Sequence, residues 1–354
     1  MIDLEELLNR PSAWLSLEKD TDIVVSSRIR LARNLRSFRF PGWGGEEACS
    51  RVWDVLKPVL TDVQAMPECL SMEMNDISHL DKQVLFERHL ISRELSERGK
   101  GSGLVVALDE QMSIMVNEED HLRIQSISPG LALQDAWDRI DALDSEVESR
   151  VDYAYDSRLG YLTACPSNVG TGMRASVMVH VPALVLLEEI NPIIKGLGKI
   201  GLAVRGLGGE GSDASGNMFQ ISNQITLGEQ EIEVVHNLNE IVREIVEHEK
   251  NARKRLMQKK EMMVRNHVGR ANGILSNAYI LSSKEALDMI SGLRLGVDLG
   301  LLPDVTPAVL DELTLLIRPG HLQKVESKHL KARERDVARA KLVRSKLADI
   351  PNQM

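Results

Sequence analysis

Cysteine is scarce in this sequence and long apolar runs are absent. Cys49, Cys69 and Cys165 are the three thiols in 354 residues, and none sits in a CxxC or a Cys/His pairing at zinc-finger spacing. That spacing points away from a disulfide framework or a structural zinc site, and free thiols suit a reducing compartment. No stretch of eighteen apolar residues occurs, so no membrane span is expected. The first residues are acidic (Asp3, Glu5, Glu6) where a secretion signal would be basic and then apolar. A cytoplasmic protein is expected. Positive charge is also short overall: the net charge of -9 argues against a dedicated nucleic-acid binder. No GxxxxGKS/T phosphate loop, no HRD or DFG signature and no metal-binding carboxylate triplet is found, so any ATP chemistry must be organised differently.

Two strings match GxGxxG, one from Gly196 to Gly201 and one from Gly206 to Gly211. A dinucleotide site needs strand, glycines, then helix, so that pyrophosphate meets a helix N-terminus. The first string runs from helix to strand, and the second carries Glu210 where it would repel a pyrophosphate. Neither is such a site.

What is present is a mixed pattern of strands and helices. Asp22–Leu31 alternates like a strand, Leu104–Val116 and His121–Ile127 read as a hairpin, and Ile200–Arg205 and Phe219–Leu227 read as further strands. Helices are expected over Gly45–Leu60, Lys82–Glu97, Leu131–Tyr153, Pro182–Ile194 and Glu229–Lys260, with Ser78 and Asp81 able to cap the second. Beyond about residue 265 only helices are expected, with a capping box at Ser282 and Glu285 and a start at Thr306-Pro307. A domain boundary is therefore placed between 255 and 270. From Arg318 to Lys346 ten Lys/Arg face three Asp/Glu, leaving the rest of the chain near −16.

Chemistry concentrates in four places. Cys165-Pro166-Ser167-Asn168-Val169-Gly170-Thr171-Gly172-Met173-Arg174 sets a thiol, a glycine turn and a cation within ten residues. Alone it reads equally as a buried turn or a reactive site. Arg28 and Arg30 share one face of a strand, two guanidinium forks that suit a polyphosphate or simply guard a sheet edge. Along Glu119-Asp120-His121-Leu122-Arg123, alternation puts Glu119, His121 and Arg123 on one face, or the segment is only a polar turn. Arg205 closes a strand before a glycine loop that carries Glu210. Five arginines at strand ends suggest an anionic ligand, and Glu119, Glu210 and Cys165 add a negative side suited to a cationic acceptor. A kinase acting on a guanidinium uses every element.

These blocks, SSRIRLARN, NEEDHLRI, CPSNVGTGMRAS and VRGLGGEG, resemble in order and spacing those of the phosphagen (guanido) kinases. The resemblance runs from about Asp20 to Lys250 and implies an α+β fold, a central antiparallel sheet flanked by helices. It implies MgATP as phosphoryl donor, with magnesium carried by the nucleotide and no protein metal site. Ser27, Arg28, Arg30, Arg123, Arg174 and Arg205, with His89 by a weaker match, would bind ATP. Glu119 and Glu210 would grip the acceptor guanidinium, Glu119 as base, and Cys165 would contact the same group. Ser167 departs from the Thr common in that family, and Gly208 and Gly209 from its larger loop residues.

Within the family the chain is similar to the bacterial protein-arginine kinases. No counterpart of the phosphagen kinases' N-terminal helical domain is expected before the arginine strand, and a C-terminal helical extension is expected instead. The implied division is a catalytic domain over 1–260 and an all-helical domain over 261–354. Arg335-Asp336-Val337-Ala338-Arg339-Ala340 matches the RDxxRA motif tied to phosphoarginine binding, an allosteric site of Arg335, Asp336 and Arg339; by itself, in a basic helix, it reads by default as a solvated charged face. The implied partners are protein substrates with exposed arginines, an activator, a Clp-type chaperone-protease in a stress response, and a second copy in a homodimer. A small-molecule guanidino kinase and a non-catalytic phosphoarginine reader are the alternatives.

Overall fold

The computed structural model describes residues 4–8, 10, 12–15, 23–206 and 215–348. Its strands are β1 (Val24–Arg33), β2 (Cys69–Glu73), β3 (Gly103–Ala107), β4 (Met112–Val116), β5 (Leu122–Pro129), β6 (Tyr155–Asp156), β7 (Gly160–Tyr161), β8 (Met173–His180), β9 (Leu202–Gly206) and β10 (Met218–Asn223). Eight of them make an antiparallel sheet in the order β2-β3-β4-β5-β1-β8-β10-β9, and β6 and β7 form a small ribbon. The helices are α1 (Leu4–Leu8), α2 (Pro41–Leu60), α3 (His79–Glu87), α4 (Arg93–Ser96), α5 (Leu133–Glu148), α6 (Pro182–Leu186), α7 (Ile190–Lys199) and α8 (Glu231–Asn277), then α9 (Ser283–Asp298), α10 (Pro307–Leu316), α11 (Pro319–Val325) and α12 (Ala332–Ala348). A central antiparallel sheet with flanking helices and a helical C-terminal region is the expected fold class. Among the described residues no helix is long and apolar enough to cross a membrane.

Three expected elements are each two. Lys82–Glu97 breaks because His89 takes a left-handed φ of 62° and Ser92 then caps a new helix, accepting from Leu95 N–H. Pro182–Ile194 breaks likewise at Glu188, with φ 61°. Leu104–Val116 is β3, a turn, and β4; Glu110 stands in that turn at φ 59°, its buried carboxylate accepting from Arg88 at 2.7 Å and Ser12 at 3.2 Å. Periodicity averages over a window and does not register a single residue that reverses the chain. In the other direction, α8 continues past its expected end at Lys260, where φ −140° and ψ 32° interrupt the helical conformation locally. The Ser78 and Ser282 caps form as expected, accepting from Asp81 and Glu285 N–H.

The chain makes two compact units. One has its described residues within Met1–Ser16, Ser26–Val177 and Ser222–Glu240, the other within Leu17–Val25, Met178–Ile221 and Ile241–Met354. In the first, Leu7 and Leu8 of α1 bury against Val84 and Leu85 of α3 and against Leu104, Val106 and Met115 of the outer strands. In the second, Ala271 and Leu275 of α8 pack with Ile290 and Leu293 of α9, Leu310 and Leu313 of α10, and Ala340 and Val343 of α12. Each such fully buried Leu or Ile contributes roughly 1.5–3 kcal/mol relative to exposure.

Candidate active site

Strand β1 puts Ile29 and Leu31 into the core at 0% and 1% exposure and turns Arg28 and Arg30 to the other face. On its β5 side, Ile127, Gln125 and Arg123 stand opposite Arg28, Arg30 and Ala32, so Arg123 shares the arginine face. On its β8 side, Ala32 N–H donates to Gly172 O at 2.9 Å and Ser176 Oγ to Arg28 O at 3.4 Å, which sets Arg174 level with Arg30. Four guanidiniums therefore converge from three adjacent strands. Burial, with the charges of Arg123 and Arg174, pushes the Arg28 pKa down to about 10. Arg30 is depressed well below its ordinary value by burial and by Arg28, Arg123 and Arg174, with Glu118 opposing. Arg30 Nε is buried without a hydrogen-bond partner among the described residues. A polyanion among these groups would supply that partner and reverse the mutual repulsion.

The acidic turn lies at the end of this face. Glu118 is buried, ion-pairs with Arg123, and its carbonyl accepts from Arg98 at 2.7 Å. Glu119 is exposed; its carboxyl is raised above the ordinary range by partial desolvation and by Asp120, against the pull of Arg123. Asp120 is buried and accepts at 2.6 Å both from Asn34 Nδ2 and from Ala164 N–H. Because Asp120 follows Glu119 and Ala164 precedes Cys165, this one carboxylate ties the acidic turn to the thiol loop. Cys165 itself is partly exposed, with Sγ 3.0 Å from Ser167 Oγ.

His121 does not join Glu119 and Arg123 as alternation suggested. It is 1% exposed, its N–H donates to Asn34 Oδ1, and its Nδ1 accepts from Leu35 N–H at 3.1 Å. Nδ1 being an acceptor, Nε2 carries the proton and donates to Arg39 O at 3.0 Å. Phe38 and Phe40 lie edge-on to the ring, and burial pushes its pKa down to about 4. The ring pins the chain that follows β1.

The remaining expected residues are placed as follows. Ser27 is fully buried, and its hydroxyl donates to Gly130 O at 2.8 Å and accepts from Ala132 N–H at 3.0 Å. Its one donor is thereby used on the β5–α5 connection. His89 is brought beside the arginine face, since its carbonyl accepts at 2.7 Å from Gln125, the residue opposite Arg30; its ring stands 4.7 Å from Trp14. Arg205 is near the end of β9 in the second unit. Glu210 lies outside the described residues.

Arg335 and Arg339 share a side of α12 but not a state. Arg335 Nη1 donates to Leu330 O at 2.9 Å. Arg339 is 1% exposed and donates at 2.6–2.7 Å to Ile317 O, Leu281 O and Asp336 Oδ1. The matched clamp expected from helical spacing is thus one accessible arginine beside one that ties α12 to the end of α10 and the start of α9. Asp336 is half of that tie. Sequence reasoning missed Asn34, Asp120 and Gln125, although all three lie inside the matched blocks or next to them. Among the described residues no group of three or more His, Cys, Asp or Glu could hold a metal ion.

The family described as ATP:guanido phosphotransferase, C-terminal catalytic domain, matches residues 52–252, and that described as protein-arginine kinase McsB C-terminal domain matches 261–354. A protein-arginine kinase of Halothermothrix orenii is 46% identical over 352 residues, 98% of this chain and 99% of its own. One from Halalkalibacterium halodurans is also 46% identical, over 95% of each chain. Among solved structures, lombricine kinase superposes with a TM-score of 0.58 at 25% identity, over 70% of both chains. The duplicated taurocyamine kinase of Schistosoma mansoni, solved with transition-state analogue components, has the same TM-score and identity over 73% of this chain, which spans only 35% of that longer one.

Proposed function

The chain belongs to the ATP:guanido phosphotransferase family, in the branch of the protein-arginine kinases, and from this we propose that it transfers the γ-phosphoryl group of MgATP to arginine side chains of proteins. The observation that carries the reading is the convergence of Arg28, Arg30, Arg123 and Arg174 beside an acidic turn that Asp120 joins to the Cys165 loop. Phosphoryl transfer needs chiefly in-line positioning and charge neutralisation. The arginines would hold the phosphates, with Arg205 and His89 completing the nucleotide site and Ser27 fixing the strand behind it. Magnesium would arrive on the nucleotide.

The acceptor guanidinium is a poor nucleophile while fully protonated, its pKa being above about 12. Glu119 would grip it and take its proton; the raised carboxyl pKa makes that base stronger than an ordinary surface glutamate. Glu210 would hold the other side and Cys165 would contact the same group. Residues 1–260 would carry the chemistry and 261–354 a regulatory site, where Arg335 reads phosphoarginine while Arg339 and Asp336 hold the helix in place. By likeness to the same branch, the setting would be a cytoplasmic homodimer in a stress response, controlled by an activator and marking proteins for a Clp-type protease.

Incubation with MgATP and an arginine-rich protein should yield acid-labile phosphoarginine detectable by mass spectrometry. Glu119→Ala should abolish it while the circular dichroism spectrum stays that of the folded protein. Undiminished product in that variant would remove Glu119 as the base. Preference for free arginine would move the enzyme to small-molecule substrates.

A further inference from the structure

A third arginine of β1 has no part in the nucleotide reading. Arg33 points to the face opposite Arg28 and Arg30 and is 2% exposed. Its Nε and Nη2 donate to Asp144 Oδ2 of α5 at 3.0 and 2.7 Å, and Asp144 Oδ1 accepts from Tyr153 at 3.0 Å. Its Nη1 donates to Ala32 O and to Thr171 O at 3.0 and 2.9 Å, and the guanidinium carbon lies 3.5 Å over the ring of Tyr161. Asp144 raises the Arg33 pKa, so this cation keeps its charge where Arg28 and Arg30 are pressed to lose theirs.

Tyr161 and Thr171 are the two sides of one base. Tyr161 N–H donates to Gly170 O at 2.8 Å and Gly170 N–H returns to Tyr161 O at 3.4 Å, closing a loop that contains Cys165. Arg33 stacks on the residue that enters this loop and bonds the carbonyl next to the one that leaves it. Gly172 fits the same geometry. Its φ is +62°, and a Cβ there would lie 2.6 Å from Arg33 Nη1 and from Ala32 O, so the guanidinium occupies the space a side chain would need. Two residues further on is Arg174.

We propose that Arg33 is a positioning residue for phosphoryl transfer: held by Asp144 and stacked on Tyr161, its guanidinium fixes the base of the 161–170 loop and so sets where Cys165 and Arg174 stand. The inference rests on the kinase reading for its kinetic part and on geometry alone for the loop. Lysine cannot replace the fork and the stack together, because an ammonium is a single compact charge without a planar face.

The test uses Arg33→Lys, and Tyr161→Leu with Tyr161→Phe as its conservative counterpart. Two readouts are taken on the full chain: steady-state kinetics, and the rate of alkylation of each cysteine by iodoacetamide, followed by peptide mass spectrometry. Arg33→Lys and Tyr161→Leu should lower kcat about tenfold or more, since misplacement of a reacting group by an ångström costs up to about a hundredfold. KM for ATP should stay within about threefold, because Arg28, Arg30 and Arg123 still hold the phosphates. Cys165 should alkylate at a rate changed more than about threefold, buried Cys49 should not, and Tyr161→Phe should restore both kcat and the Cys165 rate. Wild-type kcat and Cys165 reactivity in both altered chains would overturn the proposal. So would equal gains in reactivity at Cys49 and Cys165, the mark of general loosening. If the wild type forms no phosphoarginine, the kinase reading fails, and the alkylation rates still judge the clamp.

Discussion

Two pairs of arginines, Arg28 with Arg30 and Arg335 with Arg339, satisfy the same sequence rule and end in opposite states. Each pair lies on one face of its element by period, two residues apart on a strand and four apart on a helix. On β1 the guanidiniums are crowded by two more of their kind, and their pKa values fall. On α12 the second of the pair is buried among carbonyl oxygens that its own N–H groups satisfy. The difference lies in what surrounds each cation, not in its spacing. A guanidinium crowded by guanidiniums suits a polyanion; a guanidinium among carbonyls holds the fold together.

The sharpest way to break this contrast is to remove one member of each pair. Arg30→Ala should lower kcat about 10²–10³-fold, as loss of one preorganised charge-stabilising donor does elsewhere. Its melting temperature should hold or rise, because like-charge crowding is relieved. Arg339→Ala should behave in the reverse sense. Leaving Ile317 O, Leu281 O and Asp336 without their donor should cost about 3 kcal/mol in urea denaturation. If Arg30→Ala destabilised as much as Arg339→Ala, the strand arginines would be structural after all. Arg335→Ala should cost less than about 1 kcal/mol, since that side chain is partly exposed and makes one carbonyl bond.

The smallest expected signal sharpens the comparison electrostatically. With its pKa pushed down to about 10, Arg28 gives up part of its proton near that pH in the free enzyme. A bound polyphosphate favours the charged form, so ATP binding at pH 10 should take up a fraction of a proton at Arg28, up to about half, and less at pH 7.5. Calorimetry in two buffers of different ionisation enthalpy reads this directly. Binding heats that ignore the buffer at pH 10 would mean that the cluster is not depressed.

Local pattern revealed β1, because Ile29 and Leu31 alternate with arginines, and it revealed α8 through Val242, Ile245 and Val246, all buried. It could not reveal the breaks at His89 and Glu188, where one left-handed residue turns the chain without changing the pattern around it. The arginine face was legible as a set of residue types: Arg28, Arg30, Arg123 and Arg174 do meet. The brace was not. Asp120 works by accepting the backbone N–H of Ala164, and a backbone donor leaves no trace in the sequence. Arg339 was misleading for a related reason, since helical period tells which residues share a side but not whether that side is covered.

His121, described above as pinning the chain after β1, has a consequence in acid. Its imidazole must remain neutral, with one nitrogen accepting and the other donating. In the unfolded chain the same ring takes a proton at about pH 6.5, whereas in the fold it resists until about 4. Across that window the unfolded chain binds more protons, so stability that is intact above pH 6.5 drains away as the pH falls toward 4. The stake is about 3 kcal/mol, a large part of a small domain's reserve. The histidine beside the acidic turn thus acts as an acid fuse, and the segment it releases begins where the arginine strand ends.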